Sequence, residues 1–198
     1  MPEVSPYISV MREDWDTKTR DLIAEHPLKA KEIVEVVLSS WESIFESKLG
    51  TKGFRIGVNI FPKPQIMGFL LHELIPLEFV ARYPEKWRGE QSSDDKDLVY
   101  TPNADYSVEI KTSSDKAHIY GNRSYAQETS SAKKSKTGYY LAINFEKFSK
   151  QGANPKITLI RFGWLDHSDW IGQEAASGQQ ARLAAYVEQK KLVTLFKV

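Results

Sequence analysis

The sequence predicts a single α/β or α+β domain, in which helices flank a central mixed β-sheet. The chain has 198 residues, which suits one domain with a sizeable buried core. Apolar residues at helical spacing dominate the first 82 residues, whereas strand-like alternation and short apolar runs dominate most of the remainder. Helices that precede and surround a set of strands are typical of a sheet covered by helices.

Two helices are expected in a helical N-terminal part, residues 1–50. The first covers residues 14–24 and ends near Pro27, and the second covers residues 28–48 and is closed by Gly50. The apolar positions of the second helix belong to the core or, alternatively, to a contact with a partner helix. They are Ile33, Val34, Val37, Trp41, Ile44 and Phe45.

The remaining elements belong to residues 54–198, which we expect to form the core of the domain. Residues 54–61 alternate like a strand or an extended segment. Residues 65–82 resemble a helix that Pro76 should kink or split. The other predicted elements are strands at 138–145, 157–164 and 191–198 and a helix at 178–187.

Composition excludes several classes of protein. The chain has no cysteine, so disulfides and cysteine zinc sites are excluded. The N-terminus has neither the basic start nor the apolar core of a signal peptide, and no apolar run reaches the length of a membrane span. We therefore expect a cytoplasmic protein.

Charge is unevenly distributed, although the net charge is only +1. Residues 1–48 carry ten acidic and six basic residues, whereas residues 110–140 carry six basic and two acidic residues. The basic stretch is where an electrostatic contact with phosphates should lie, although it would also suit a solvated face. Its candidate DNA-binding lysines are Lys116, Lys133 and Lys134.

Residues 105–111 form the most informative segment, because polar and apolar residues alternate there as in a half-buried strand. Glu109 and Lys111 share one face of such a strand, about 6.6 Å apart at the backbone. A hairpin centred on Asn103 would place Asp97 opposite Glu109, with Cβ atoms about 5 Å apart. Two carboxylates at that distance repel each other unless a cation lies between them.

This trio suits metal-assisted cleavage of a phosphodiester. Oxygen ligands without cysteine favour Mg²⁺, with Mn²⁺ as a substitute. Asp97, Glu109 and the backbone carbonyl of Ile110 would hold the ion, while Lys111 would stabilise negative charge on the phosphoryl oxygens. Alternatively, the segment is a surface hairpin whose acid pair is relieved by Lys111. Glu73 is either an additional acid aimed at the metal or a helix-surface glutamate.

The segment 119–127 is a candidate for reading DNA. Asn122, Arg123 and Gln127 carry the donor and acceptor groups that read base edges, and Ser124 and Tyr125 are further candidates. Gly121-Asn122 suits a turn, and Tyr120 and Tyr125 would pack on sugars or on the core. Arg123 would contact a base or a phosphate or, alternatively, form an ion pair with Glu128 or Asp115.

The segment Asp166-His167-Ser168-Asp169 has the composition of a metal-ligand cluster. Alternatively, it forms a turn in which Ser168 or Asp169 caps the next helix.

An apolar helix, then Asp97-Leu98-Val99, then Glu109-Ile110-Lys111-Thr112-Ser113 resembles the PD-(D/E)xK nuclease core. Lys96 stands where the motif's name has a proline. The wider set is similar to the ScaI family of type II restriction endonucleases. That similarity is carried by residues 65–74, 96–100, 109–114, 121–126 and 161–167.

This resemblance implies a restriction-endonuclease-like fold, with Asp97 and Glu109 as metal-binding acids and Lys111 as the catalytic lysine. It also implies a magnesium-dependent homodimer that cuts both strands of DNA at a short palindromic site. A cognate DNA methyltransferase is expected in the same restriction-modification system. The alternatives are a structure-selective repair or junction nuclease and a non-catalytic DNA-binding module on the same fold.

Overall fold

The computed structural model describes residues 4–126, 135–149, 153–174 and 178–198. Four helices lie within these ranges: α1 (Trp15–Glu25), α2 (Ala30–Glu46), α3 (Pro64–Arg82) and α4 (Ala185–Lys191). The strands in the same ranges are β1 (Lys48–Leu49), β2 (Phe54–Arg55), β3 (Trp87–Gly89), β4 (Leu98–Tyr100), β5 (Val108–Ser113), β6 (Tyr120–Asn122), β7 (Gly138–Phe145), β8 (Ile157–Leu165), β9 (Trp170–Gly172), β10 (Gln180–Leu183) and β11 (Leu192–Lys197). Short 3-10 helices include Ala104–Tyr106, Arg123–Ala126 and His167–Asp169.

Within the described ranges the largest sheet has six strands, in the order β11-β8-β7-β5-β4-β3. The pairing of β5 with β7 is parallel and the other pairings are antiparallel, so the sheet is mixed, as predicted. A parallel pair needs a long crossover connection. Here the chain between β5 and β7 includes β6 and the 3-10 helix Arg123–Ala126.

The two faces of this sheet are covered by different elements. Helices α2 and α3 pack on one face, where Val108, Ile110 and Leu141 join the larger apolar cluster. A smaller sheet, in the order β6-β10-β9, contributes to a second cluster that contains Tyr140 and Ala142. Because strand residues alternate between faces, Glu109 and Lys111 belong to the side of the small sheet.

Several predicted elements differ from the structure for physical reasons. Residues 54–61 contain only the short β2 and an isolated bridge, because the backbone turns at Gly57 with φ +81°. The helix predicted at 178–187 is instead β10 followed by α4, since Ala181 and Leu183 alternate into the second cluster.

Helix α3 continues through Pro76, so this proline does not split it. The proline is buried, and its Cβ would lie 3.9 Å from a Cβ placed at Gly89. The strand expected from residue 105 begins at Val108, because Asn103 accepts a hydrogen bond from Asp105 N and a 3-10 turn follows. Among the described residues, no helix is both long and apolar enough to cross a membrane.

Candidate active site

The pairing of β4 with β5 places the first two candidate residues at one position of the sheet. Leu98 lies opposite Val108, which is the register of a hairpin centred on Asn103. Extending that register by one residue puts Asp97 across from Glu109, at the point where the β4–β5 pairing ends. The local alternation and the turn signal therefore led to the correct strand register.

The Asp97 carboxylate is fixed by backbone and side-chain neighbours. Its Oδ2 accepts a hydrogen bond from Ile110 N at 2.6 Å. His72, on α3, brings Nδ1 to 3.6 Å from the same oxygen. These contacts hold the Asp97 side chain, which still reaches solvent because it is 14% exposed.

Glu109 is almost completely buried, at 3% exposure. Its Oε1 accepts hydrogen bonds from Lys111 Nζ, at 2.6 Å, and from the hydroxyl of Tyr125. The Lys111 ammonium lies 4.6 Å from the centre of the Tyr125 ring, where the face of the ring attracts a cation. Lys111 is thus positioned by a carboxylate and an aromatic face.

The backbone carbonyl of Ile110 points toward the same edge of β5 as Asp97. In a strand, the N–H and C=O of one residue point to the same neighbour. Because Ile110 N donates to Asp97, its carbonyl also faces this edge, two residues beyond Val108 of the pair Leu98–Val108. Asp97 is thus bonded to the backbone of Ile110, and Glu109 is the residue before it in β5.

This donor set fits a magnesium ion. Mg²⁺ prefers oxygen ligands, usually takes one or two carboxylates from the protein, and keeps water or substrate phosphate in the remaining positions. No cluster of three or more histidine, cysteine, aspartate or glutamate side chains suited to a metal occurs in the part of the chain that the structure describes.

A cleft of ≈ 840 Å³ opens beside Asp97, between α3 and the small sheet. Glu73 is exposed and lines this cleft together with Asp97. Helix α3 approaches β5 closely at Gly68, where a Cβ would lie 2.5 Å from Thr112 Oγ1. The cleft is lined by residues that include Gly68, Phe69, His72, Glu73, Asp97, Thr112, Ser113, Ser114, Tyr120 and Gln180.

The segment predicted to read DNA is part of the small sheet. Gly121 and Asn122 lie in β6, opposite Ala181 and Gln180. The prediction of a turn at these two residues was therefore wrong. Asn122 and Ser124 are exposed. Arg123 is half-buried, and its guanidinium donates to the carbonyl of Gly178 at 3.2 Å.

Tyr125 requires a correction, because it is buried and its hydroxyl is used by Glu109. The alternative in which it packs on the core is the one observed. Lys116 is exposed on the loop after β5. The other candidates for DNA contact, Gln127, Lys133 and Lys134, lie outside the described residues, as does Glu128.

The cluster Asp166–Asp169 forms a turn with a charge partner rather than a site for a metal. Asp169 Oδ2 accepts from Asp166 N at 2.8 Å, which closes a short 3-10 helix. Lys191 Nζ lies 2.8 Å from Asp166 Oδ2 and from Asp169 Oδ2. Burial raises the pKa of Asp169, and the charge of Lys191 opposes that shift.

Sequence reasoning missed two neighbours of the candidate acids. No local pattern gives His72 a partner, and the sequence placed Tyr125 on sugars or in the core. Each lies far from its partner in the chain, 25 residues from Asp97 to His72 and 16 residues from Glu109 to Tyr125. Local periodicity carries no signal for such contacts.

Comparisons with known proteins agree with the resemblance noted in the sequence. A family model described as ScaI restriction endonuclease matches residues 5–196. The type II restriction enzyme ScaI of Streptomyces caespitosus is 52% identical over 193 residues, which cover 96% of this chain and 84% of that protein. No solved structure matches the chain.

Proposed function

Because the chain belongs to the ScaI restriction endonuclease family, we propose that it cuts both strands of a short palindromic DNA site, with Mg²⁺ held by Asp97, Glu109 and the Ile110 carbonyl. Membership of the family makes the chain a type II restriction endonuclease, which is a site-specific deoxyribonuclease. Divalent-metal dependence is general among such enzymes. The choice of magnesium and the roles of individual residues are parts of the proposal.

One observation carries the assignment of residues. Asp97 and Glu109 flank Ile110 at the end of the β4–β5 pairing, with Lys111 bonded to Glu109 and an open cleft beside Asp97. Two acids and a lysine close together, with one of the acids lining an open cleft, suit hydrolysis of a bound phosphodiester.

The side chains divide the work as follows. A bound Mg²⁺ would supply Lewis-acid polarisation of the phosphate and a water of lowered pKa. Asp97 presents an anchored carboxylate, because the hydrogen bond from Ile110 N holds it. Lys111 would stabilise the negative charge that gathers on the phosphoryl oxygens, and its 13% exposure limits competing solvation.

The proposal includes a homodimer, since two-fold protein symmetry matches the two-fold symmetry of a palindrome and supplies one site for each strand. Sedimentation equilibrium at micromolar concentration should give twice the chain mass.

Cleavage of phage DNA, followed by sequencing of the fragment ends, tests the activity. Discrete ends at a palindrome in Mg²⁺, and intact DNA in EDTA, are the expected results. Cutting governed by DNA shape would instead indicate a junction or repair nuclease. Binding without scission in Mg²⁺ or Mn²⁺ would indicate a non-catalytic module.

The residue roles are tested by Lys111→Ala beside Lys147→Ala, a change at an exposed lysine that follows β7. Removal of a group that stabilises charge in the transition state typically lowers the rate about 10²- to 10³-fold. We expect at least that loss for Lys111→Ala and none for Lys147→Ala, at equal melting temperature. A folded Lys111→Ala protein that cuts at the wild-type rate would refute the assignment.

A further inference from the structure

The hydroxyl of Tyr125 is one of two donors on the same oxygen of Glu109. It donates to Oε1, and Lys111 Nζ lies 2.6 Å from that oxygen. The two donors come from different elements, β5 and the 3-10 helix Arg123–Ala126. A carboxylate engaged in this way cannot rotate without breaking a charge-assisted hydrogen bond.

The Tyr125 ring is itself held in place. It meets Trp170 edge to face, with ring centres 5.1 Å apart. A Cβ at Gly121 would lie 3.0 Å from its Cγ, so β6 passes the ring without spare room. The ammonium groups of Lys111 and Lys136 lie 4.6 and 4.5 Å from the ring centre. The position of the hydroxyl is therefore set by packing.

Tyr125 also lies close in the chain to residues that face solvent. Asn122 and Ser124 are exposed, and Arg123 N donates to the carbonyl of Gln179 at 2.7 Å, which ties this backbone to β10. Only a few peptide units separate residues 122–124 from Tyr125, so a displacement of their backbone would also move the Tyr125 hydroxyl.

From this geometry we propose that Tyr125 is a positioning residue, which orients the Glu109 carboxylate and links it to residues 122–124, the DNA contacts expected from the sequence. The inference rests on the proposed role of Glu109 in holding the metal. Tyr125 does not touch the substrate. A duplex that fits the residues 122–124 leaves the hydroxyl on Glu109, and a poor fit displaces it.

The main test is Tyr125→Phe, which keeps the ring and deletes the hydroxyl. Its matched control is Tyr139→Phe, which also deletes a tyrosine hydroxyl, here bonded to the carbonyl of Leu22 at 3.2 Å in the other cluster. We expect kcat on the cognate duplex to fall about 10- to 100-fold in Tyr125→Phe, as for loss of one hydrogen bond to a charged group. The control should stay within about twofold of wild type.

A second readout needs no cleavage. Fluorescence anisotropy with Ca²⁺ in place of Mg²⁺ gives the affinity for a labelled cognate duplex and the Ca²⁺ concentration that half-saturates binding. Tyr125→Phe should raise that concentration several-fold and leave the affinity at saturating Ca²⁺ unchanged. If kcat or the Ca²⁺ requirement matches wild type, the proposal is overturned.

The link to residues 122–124 has its own measurement. The ratio of kcat/KM between the cognate site and a site with one altered base pair should shrink in Tyr125→Phe. An unchanged ratio refutes the link. Loss of activity that follows loss of folded protein, judged by near-ultraviolet circular dichroism, means a structural role and also overturns the proposal.

Gly121→Ala provides a second variant that retains the hydroxyl and presses on the ring. It should lower kcat and raise the Ca²⁺ requirement in the same direction, and an unaffected folded variant counts against the proposal. Failure of the proposed function can be distinguished from failure of this inference. In the first case the wild-type protein would not cut DNA, or the Lys111→Ala variant would cut it at the normal rate. A protein that needs Lys111 and is indifferent to the Tyr125 hydroxyl refutes this inference alone.

Discussion

His26 should make the protein less stable in mild acid, and its surroundings give the size of the effect. The residue follows α1 and has no exposed surface. Its Nδ1 accepts a hydrogen bond from Leu28 N at 3.1 Å, so the ring proton lies on Nε2, which donates to the carbonyl of Tyr106 at 3.0 Å. A second proton on Nδ1 would face the N–H of Leu28.

Burial is the main reason that the pKa of His26 falls from 6.5 to about 4 in the folded protein. Above pH 6.5 the ring is neutral in both states, and no stability is lost. Between pH 6.5 and 4 the unfolded chain gains a proton that the folded chain does not, so the free energy of unfolding decreases as the pH falls. At about 1.36 kcal/mol per pH unit, the loss is about 2 kcal/mol at pH 5 and about 3 kcal/mol when complete.

Urea unfolding of wild type and His26→Gln between pH 7.5 and 5 checks this value. The difference in unfolding free energy should change by about 2 kcal/mol over that range, with wild type losing more. The His26 ring resonance in NMR spectra should titrate near pH 4. Parallel pH dependence of the two proteins, or a ring that titrates near 6.5, would refute the reasoning.

Two further predictions concern elements that position the site. Gly68→Ala should cost about 1–3 kcal/mol through overpacking, because its Cβ would lie 2.5 Å from Thr112 Oγ1. Adding Thr112→Ala should recover most of that stability, since the remaining Cβ–Cβ distance is 3.5 Å. Urea unfolding measures both variants, and a double variant no more stable than Gly68→Ala would contradict this account. Asp95 orders the loop before Asp97 through a two-pronged ion pair with Arg88, which lowers the pKa of Asp95. Asp95→Asn should therefore lower the free energy of unfolding by about 1 kcal/mol at pH 7. This loss should shrink as the pH falls below about 4, because the lowered pKa stabilises wild type only where Asp95 is ionised. A loss that is constant with pH would contradict this account.

The strands that carry the site were largely predictable from local patterns. Residues 138–145 and 157–164 were expected as strands, and β7 and β8 match them within a residue. Alternation placed Glu109 and Lys111 on one face, and the turn at Asn103 predicted the observed β4–β5 register. These features depend on contacts between residues close in the chain, for which periodicity and turn chemistry are sufficient.

Local patterns failed where an element depends on a distant partner. Residues 180–183 form a strand because β6 and β9 lie on either side, although their composition also suits a helix. The same limit applies to His72, because no local pattern pairs it with Asp97. The contact exists because α3 packs against β5, with Gly68 allowing the close approach.

The amino-acid order by itself determined the acidic and basic residues of the candidate site, their common strand face and the family to which the chain belongs. Only the tertiary structure decided that Tyr125 would hold Glu109 instead of meeting DNA. That outcome depends on the parallel pairing of β5 with β7 and on the small sheet packing against them. Pairings between distant segments are selected by the burial of whole faces, a free energy that no short stretch of sequence contains.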